Sequence, residues 1–208
     1  MLRALPGILV LLFALPSISS AQQRYRVLVQ SGVTLPTAPV EFSELWKTGF
    51  GGGLGVELGL NDLVSMWGLA EYNRLGFDEQ KGNGQFYTPG PPVRVEGGDV
   101  SIMGFMVGAR LRAPQGVVRP YLDGGFGFQS YQADDVTVHY INFPSGQPGS
   151  YTIENERETK PAVSLGIGAQ IPVGTSSVGL FADGHWIITF TEGSSSQHVP
   201  IRFGLMFP

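Results

Sequence analysis

The chain of 208 residues contains no cysteine. That excludes a disulfide framework and thiolate chemistry. Charge is scarce. Asp, Glu, Lys and Arg make up 14% of the chain, against about 25% in a typical soluble domain. The formal charge of −4 offers a polyanion nothing to bind, so no nucleic-acid partner is expected. Long apolar runs are also missing. Beyond the N-terminal segment nothing approaches the roughly 18 consecutive apolar residues that a transmembrane helix needs, and no convincing amphipathic helix is visible.

Glycine (30 residues) and proline (15) are plentiful, without a collagen period. This is the composition of strands and turns. The N-terminus reads as a targeting segment. Arg3 supplies a positive start, Leu9–Leu15 ("LVLLFAL") a short apolar core, and Pro16 a break. Ser19 and Ala21 are the small residues of a cleavage site. The pattern predicts a signal peptide over 1–21, cleaved after Ala21, and a mature domain over 22–208.

The mature sequence holds eight segments of alternating character: 24–35, 48–60, 63–77, 99–113, 117–132, 160–173, 178–191 and 198–207. Tight turns are expected at 61–62, 114–116 and 174–177, and longer connections at 36–47, 78–98, 133–159 and 192–197. Short and long alternate. In an up-and-down antiparallel barrel this puts every tight turn at one end, as in transmembrane β-barrels with short periplasmic turns. An even strand count puts both termini there too.

Side-chain parity says which face is inside. In "FGGGLGVELGLND" (50–62), Phe50, Leu54, Val56, Leu58 and Leu60 share one face, while Gly51, Gly53, Gly55, Glu57 and Gly59 share the other. Segments 99–112, 160–171, 178–190 and 198–207 repeat the contrast. A soluble sandwich would carry a charged outer face; here the non-apolar face is too poor in charge to be solvated. Inverted, the pattern makes sense: the apolar face meets lipid and the glycine-rich face lines a narrow lumen. The fold expected is all-β, an eight-stranded antiparallel transmembrane β-barrel. Tyr25, Trp46, Phe50, Tyr72, Tyr87, Phe190 and Phe207 are candidates for aromatic girdles.

"RPYLDGGFGFQSY" (119–131), "WKTGFGGGLGVELGL" (46–60) and a last strand of alternating apolar residues ending in Phe207 resemble the small outer-membrane β-barrel family, the OmpA/OmpX-like eight-stranded proteins. A departure is Pro208 after the terminal aromatic residue. The resemblance implies export to the outer membrane of a Gram-negative-type bacterium, with the lipid bilayer, periplasmic chaperones and the barrel-assembly machinery as partners. A monomer and no cofactor are expected. The family's roles are diverse: envelope integrity, adhesion, narrow or closed pores and occasional lipid-modifying catalysis.

Parity sends Arg26, Glu57, Glu71, Arg110, Asp123, Asp183, His185 and Arg202 inward. Most lie near a tight turn, so similar depth is expected. Enclosed charges must pair, which predicts a salt-bridged plug with Glu57 partnered by Arg26 or Arg110. Two other readings exist. The same charges could line a narrow pore for ions or small solutes. Asp183-x-His185 could also join a serine in a lipid-modifying triad, although no serine is placed beside it by spacing. The three histidines do not cluster as metal ligands, and Asp134-Asp135 is an incomplete calcium pattern. The long loops are the other candidate surface. In 133–159, two alternating stretches predict a hairpin whose Tyr140, Phe143 and Tyr151 form a contact surface for an unknown ligand.

Overall fold

The computed structural model describes residues 24–82, 92–142, 145–155, 157–173, 178–191 and 194–208. The expected signal peptide lies outside them. The elements in chain order are β1 (Arg24–Ala38), α1 (Val40–Leu45), β2 (Gly49–Gly59), β3 (Val64–Leu75), α2 (Glu79–Gly82), β4 (Pro92–Gly97), β5 (Val100–Arg112), β6 (Arg119–Ala133), β7 (Val136–Ile141), β8 (Pro148–Ile153), β9 (Glu158–Pro172), β10 (Gly179–Thr191) and β11 (Ser194–Phe207). Eight of the strands close a barrel in the order β1-β11-β10-β9-β6-β5-β3-β2, every neighbour antiparallel. Closure pairs β1 with both β2 and β11, which leaves no barrel edge open inside lipid.

The turn end is built by local chemistry. Between β2 and β3, the Asn61 side-chain oxygen accepts from the amides of Leu63 and Val64, each at 2.8 Å. This is an Asx-turn, the conformation Asn favours. Between β5 and β6 the turn runs through Gly116, whose φ of +121° glycine tolerates without a Cβ penalty. That turn is longer than 114–116, and β6 begins at Arg119 rather than 117. The exposed Val117 and Val118 fall outside the barrel ladder.

The loop end departs further from the sequence expectation. The connection expected over 192–197 is mostly strand, because β10 and β11 stay paired up to Thr191↔Ser194. The strict alternation of short and long connections therefore breaks at the last hairpin. The 78–98 connection contributes β4, which pairs with β7; with β8 they make a three-stranded sheet in the order β4-β7-β8.

The two faces of the wall are inverted relative to a soluble protein. Phe50, Leu54, Phe105, Leu165, Ile167 and Phe203 point outward and are exposed, Phe50 at 73% and Leu165 at 66%. Polar pairs on the outer surface mark where this apolar belt ends: Tyr72 with Ser101 (2.8 Å), Thr159 with Ser130 (3.1 Å), and the Trp186 indole donating to Gln197 (3.1 Å). Of the girdle candidates, Tyr25, Phe50, Tyr72 and Phe190 are exposed on this face, and Tyr87 lies outside the described residues. Trp46 is different. It packs on Phe42 and Phe77 with ring centroids 5.3 and 5.7 Å away, and its indole donates to the Gly98 carbonyl at 2.8 Å. It holds the loops.

Candidate functional site

Inside the barrel, side chains stack in tiers. The tier nearest the turns centres on Arg110 of β5. Its Nε and Nη2 donate to Asp123 Oδ2 at 3.1 and 2.8 Å, and its Nη1 donates to Glu57 Oε2 at 3.1 Å. The register makes the first contact local, because Arg110 faces Asp123 across the β5–β6 ladder. The guanidinium also lies 3.9 Å above the Tyr121 ring, a cation–π contact. Arg112 donates to Glu57 Oε1 at 2.7 Å, and Arg26 lies 3.8 Å from that oxygen. Tyr121 donates to Asp183 Oδ2 at 2.7 Å. Glu57 is 1% exposed, and Arg110 and Asp123 are each 3% exposed. Arg26, Arg110 and Arg112 balance Glu57, Asp123 and Asp183 at distances of 2.7–3.9 Å, as enclosed ions require.

His185 sits in the same tier. Its Nδ1 is 3.4 Å from Asp123 Oδ1 and its Nε2 is 3.5 Å from Asp183 Oδ2. Trp67 meets the ring edge-on, with centroids 6.2 Å apart. The lumen-facing hydroxyls of Ser65 and Ser164 make no hydrogen bond to it. Both ring nitrogens thus face carboxylates, so the ring is oriented by acids.

Above this lies an apolar tier of Trp67, Leu69, Met106, Ala162 and Ile187. A second polar tier follows. Arg202 and Glu71 form a direct ion pair. Tyr131 and Thr189 each donate to Gln129 Oε1 at 3.0 Å, and Gln129 Nε2 is 3.5 Å from His198 Nε2. Thr34 donates to Asn73 Oδ1 at 2.7 Å. A last apolar tier lies toward the loop end, where Phe42 of α1 packs against Leu75, Val100 and Ile102.

The glycines of the lumen wall make these tiers possible. A Cβ on Gly166 would come within 2.6 Å of His185 Cε1, and one on Gly108 within 2.7 Å of Trp67 Cζ2. Tyr121 and Phe181 likewise lie against Gly168 and Gly204.

Of the eight ionisable residues expected inside, Arg26, Glu57, Arg110, Asp123, Asp183 and His185 lie together in the lower tier. Glu71 lies higher, in the upper tier, where it pairs with Arg202; Arg202 itself stands opposite Asp183 across the β10–β11 ladder and so links the two tiers. Arg112, Tyr121, Gln129 and His198 were not among the candidates. Arg112 shares the parity of Arg110, and Tyr121 that of Asp123, so both were open to the same argument. Tyr121 carries no formal charge, and His198 stands at the first position of the last alternating segment, so a search for charged residues within strands passes over both.

At the loop end, the β4-β7-β8 sheet places Val95, Val136 and Val138 against Phe77, Leu45, Trp46 and Tyr151. Tyr140 and Tyr151 lie on this same covered face by parity. They are half-buried, with rings 6.2 Å apart. Phe143 lies outside the described residues. The opposite face is polar: Arg94 pairs with Glu96 at 3.0 Å, and Thr137 bonds Thr152 at 3.1 Å. Of the two sheet edges, β4 carries Pro92, Arg94 and Glu96, whereas β8 ("PGSYTI") is uncharged.

Comparison with known proteins agrees with this architecture. The outer membrane protein beta-barrel domain family matches residues 8–186. No curated protein sequence matches the chain. Among solved structures, Neisserial surface protein A superposes with a TM-score of 0.54 at 13% identity, covering 88% of this chain and 96% of that one. Ail of Yersinia pestis, in complex with the heparin analogue sucrose octasulfate, gives 0.50 at 16% identity (88% and 99% covered). A major outer membrane protein of Thermus thermophilus gives 0.50 at 12% identity (88% and 99%). At such identities the likeness is one of fold. The closed eight-stranded wall, its apolar outer belt and the family match together identify the chain as an integral outer-membrane β-barrel, a member of the outer membrane protein beta-barrel domain family.

Proposed function

We propose that this protein is a non-enzymatic envelope barrel whose lumen is closed and whose extracellular sheet makes surface contacts. The observation that carries the reading is Arg110, held by Glu57 and Asp123 across a lumen already filled by side chains. An eight-stranded barrel is just wide enough for its side chains to fill. A solute would have to break the lower ion cluster, pass the Trp67 tier and part Glu71 from Arg202. Catalysis is disfavoured because both His185 ring nitrogens face carboxylates and the buried hydroxyls of Ser65 and Ser164 do not bond the ring.

The covered face of the sheet, with Tyr140 and Tyr151, stiffens the mouth. Contact then falls to its polar face and to the uncharged β8 edge, which could accept an extended strand. Segments 36–48, 76–99 and 134–158 hold more Asp and Glu than Lys and Arg. A sulfated polyanion, of the kind bound in the Ail complex, therefore suits this surface poorly. Delivery by an N-terminal signal peptide over 1–21, periplasmic chaperones and the barrel-assembly machinery, and a monomeric state, complete the reading.

The test is a planar-bilayer recording of refolded 22–208. A closed lumen gives no steady conductance. A stable channel whose ion selectivity changes in Arg110→Ala or Asp183→Asn would establish the narrow-pore reading instead.

A further inference from the structure

The upper polar tier contains more hydrogen-bonding atoms than it has partners for. Gln30 Nε2, Asn73 Nδ2 and Glu71 Oε1 are buried and bond to no protein atom. Their residues are 7%, 4% and 4% exposed. All three residues line one recess of ≈ 10 Å³, together with Arg202, Gly32 and Gly51. That is the lower limit of the space that admits one water molecule, about 10–15 Å³. The recess arises from the sequence pattern itself. Asn73 lies where a side chain on Gly51 would be, because a Cβ there would come within 2.7 Å of its Cγ.

The hydrogen-bond inventory says what such a recess would take. Asn73 Oδ1 accepts from Thr34, which directs Nδ2 as a donor. Gln30 Nε2 is a second donor, and Glu71 Oε1 is an acceptor beside the oxygen that holds Arg202. Two donors and one acceptor match a molecule that accepts twice and donates once. An anion would be repelled by Glu71. A cation would face the NH₂ groups of both amides and the Arg202 guanidinium. We infer that the recess binds a single water molecule, held by Gln30, Asn73 and Glu71, which makes the Glu71–Arg202 pair a hydrated ion pair.

Solution NMR on refolded, ¹⁵N-labelled 22–208 in detergent micelles tests this. Water-selective cross-relaxation spectra should show a long-lived water in contact with the side-chain amides of both Gln30 and Asn73. In Asn73→Leu, which removes one donor, the Gln30 cross-peak should be lost or collapse several-fold. If Asn73→Leu does not refold, the wild-type spectrum alone decides. Absence of a long-lived water at either amide, or a Gln30 cross-peak unchanged by Asn73→Leu, overturns the assignment.

Discussion

Arg110→Leu is the sharpest perturbation of the lumen. Arg110 makes three donor contacts of 2.8–3.1 Å to Asp123 and Glu57, and lies 3.9 Å from Asp183. Leucine fills part of the volume but leaves these carboxylates buried. Glu57 keeps Arg112 at 2.7 Å, so the main loss falls on Asp123. Removing one partner of a buried ion pair costs about 3–5 kcal/mol. With a urea slope of about 2 kcal/mol per M, the unfolding midpoint should fall by roughly 2 M. The assay is the heat-modifiable band of the refolded barrel, followed across a urea series in detergent. Arg110→Leu/Asp123→Leu removes both charges and should recover much of the loss, since apolar replacement of a buried pair is often neutral or stabilising. If Arg110→Leu moves the midpoint by less than about 0.5 M, the pair is worth no more than an exposed one, about 0–1 kcal/mol. The lower tier would then be solvated, and the closed-lumen account would fail.

Other perturbations probe other parts of the account. Leu54→Arg puts a charge into the lipid belt and should destabilise the barrel by about 2–4 kcal/mol in a bilayer, read as a lower urea midpoint in vesicles. Gly125→Val would crowd Trp67, whose Cη2 lies 2.8 Å from where the new Cβ must go. Overpacking of this kind costs about 1–3 kcal/mol, and the same urea series would show it. Deleting 136–153 removes β7 and β8 but no barrel strand. The product should remain heat-modifiable and lose any surface binding; failure to refold would make that sheet part of the folding unit.

Much of this molecule was legible in its sequence, for a physical reason. In a transmembrane barrel each face meets one solvent along the whole strand, so period two persists through Leu54, Val56 and Leu58, and again through Leu165 and Ile167. The glycine row beside them then had one explanation: a lumen already occupied from neighbouring strands. Glu57, the lone charge in that row, comes within reach of Arg26, Arg110 and Arg112. What could not be read depends on stagger and on loops. Parity gives the face but not the height, so Glu71 could not be separated from the lower tier, nor Arg202, opposite Asp183, be seen to reach up to it. Trp46 lies next to β2 in sequence, yet it packs across the mouth on Phe42 and Phe77. The β4–β7 pairing joins two different loops, and no local pattern announces it.

The most direct test of the inverted, closed barrel uses the absence of cysteine. Single cysteines at Leu165 and Ser164, adjacent on β9, can carry a spin label without background. In refolded protein in vesicles, the label at 165 should collide freely with lipid-soluble oxygen and hardly at all with a water-soluble nickel chelate. The label at 164 should be shielded from both. Free access of the nickel chelate to position 164 would show an open aqueous lumen, and oxygen access at 164 with shielding at 165 would contradict the assignment of faces.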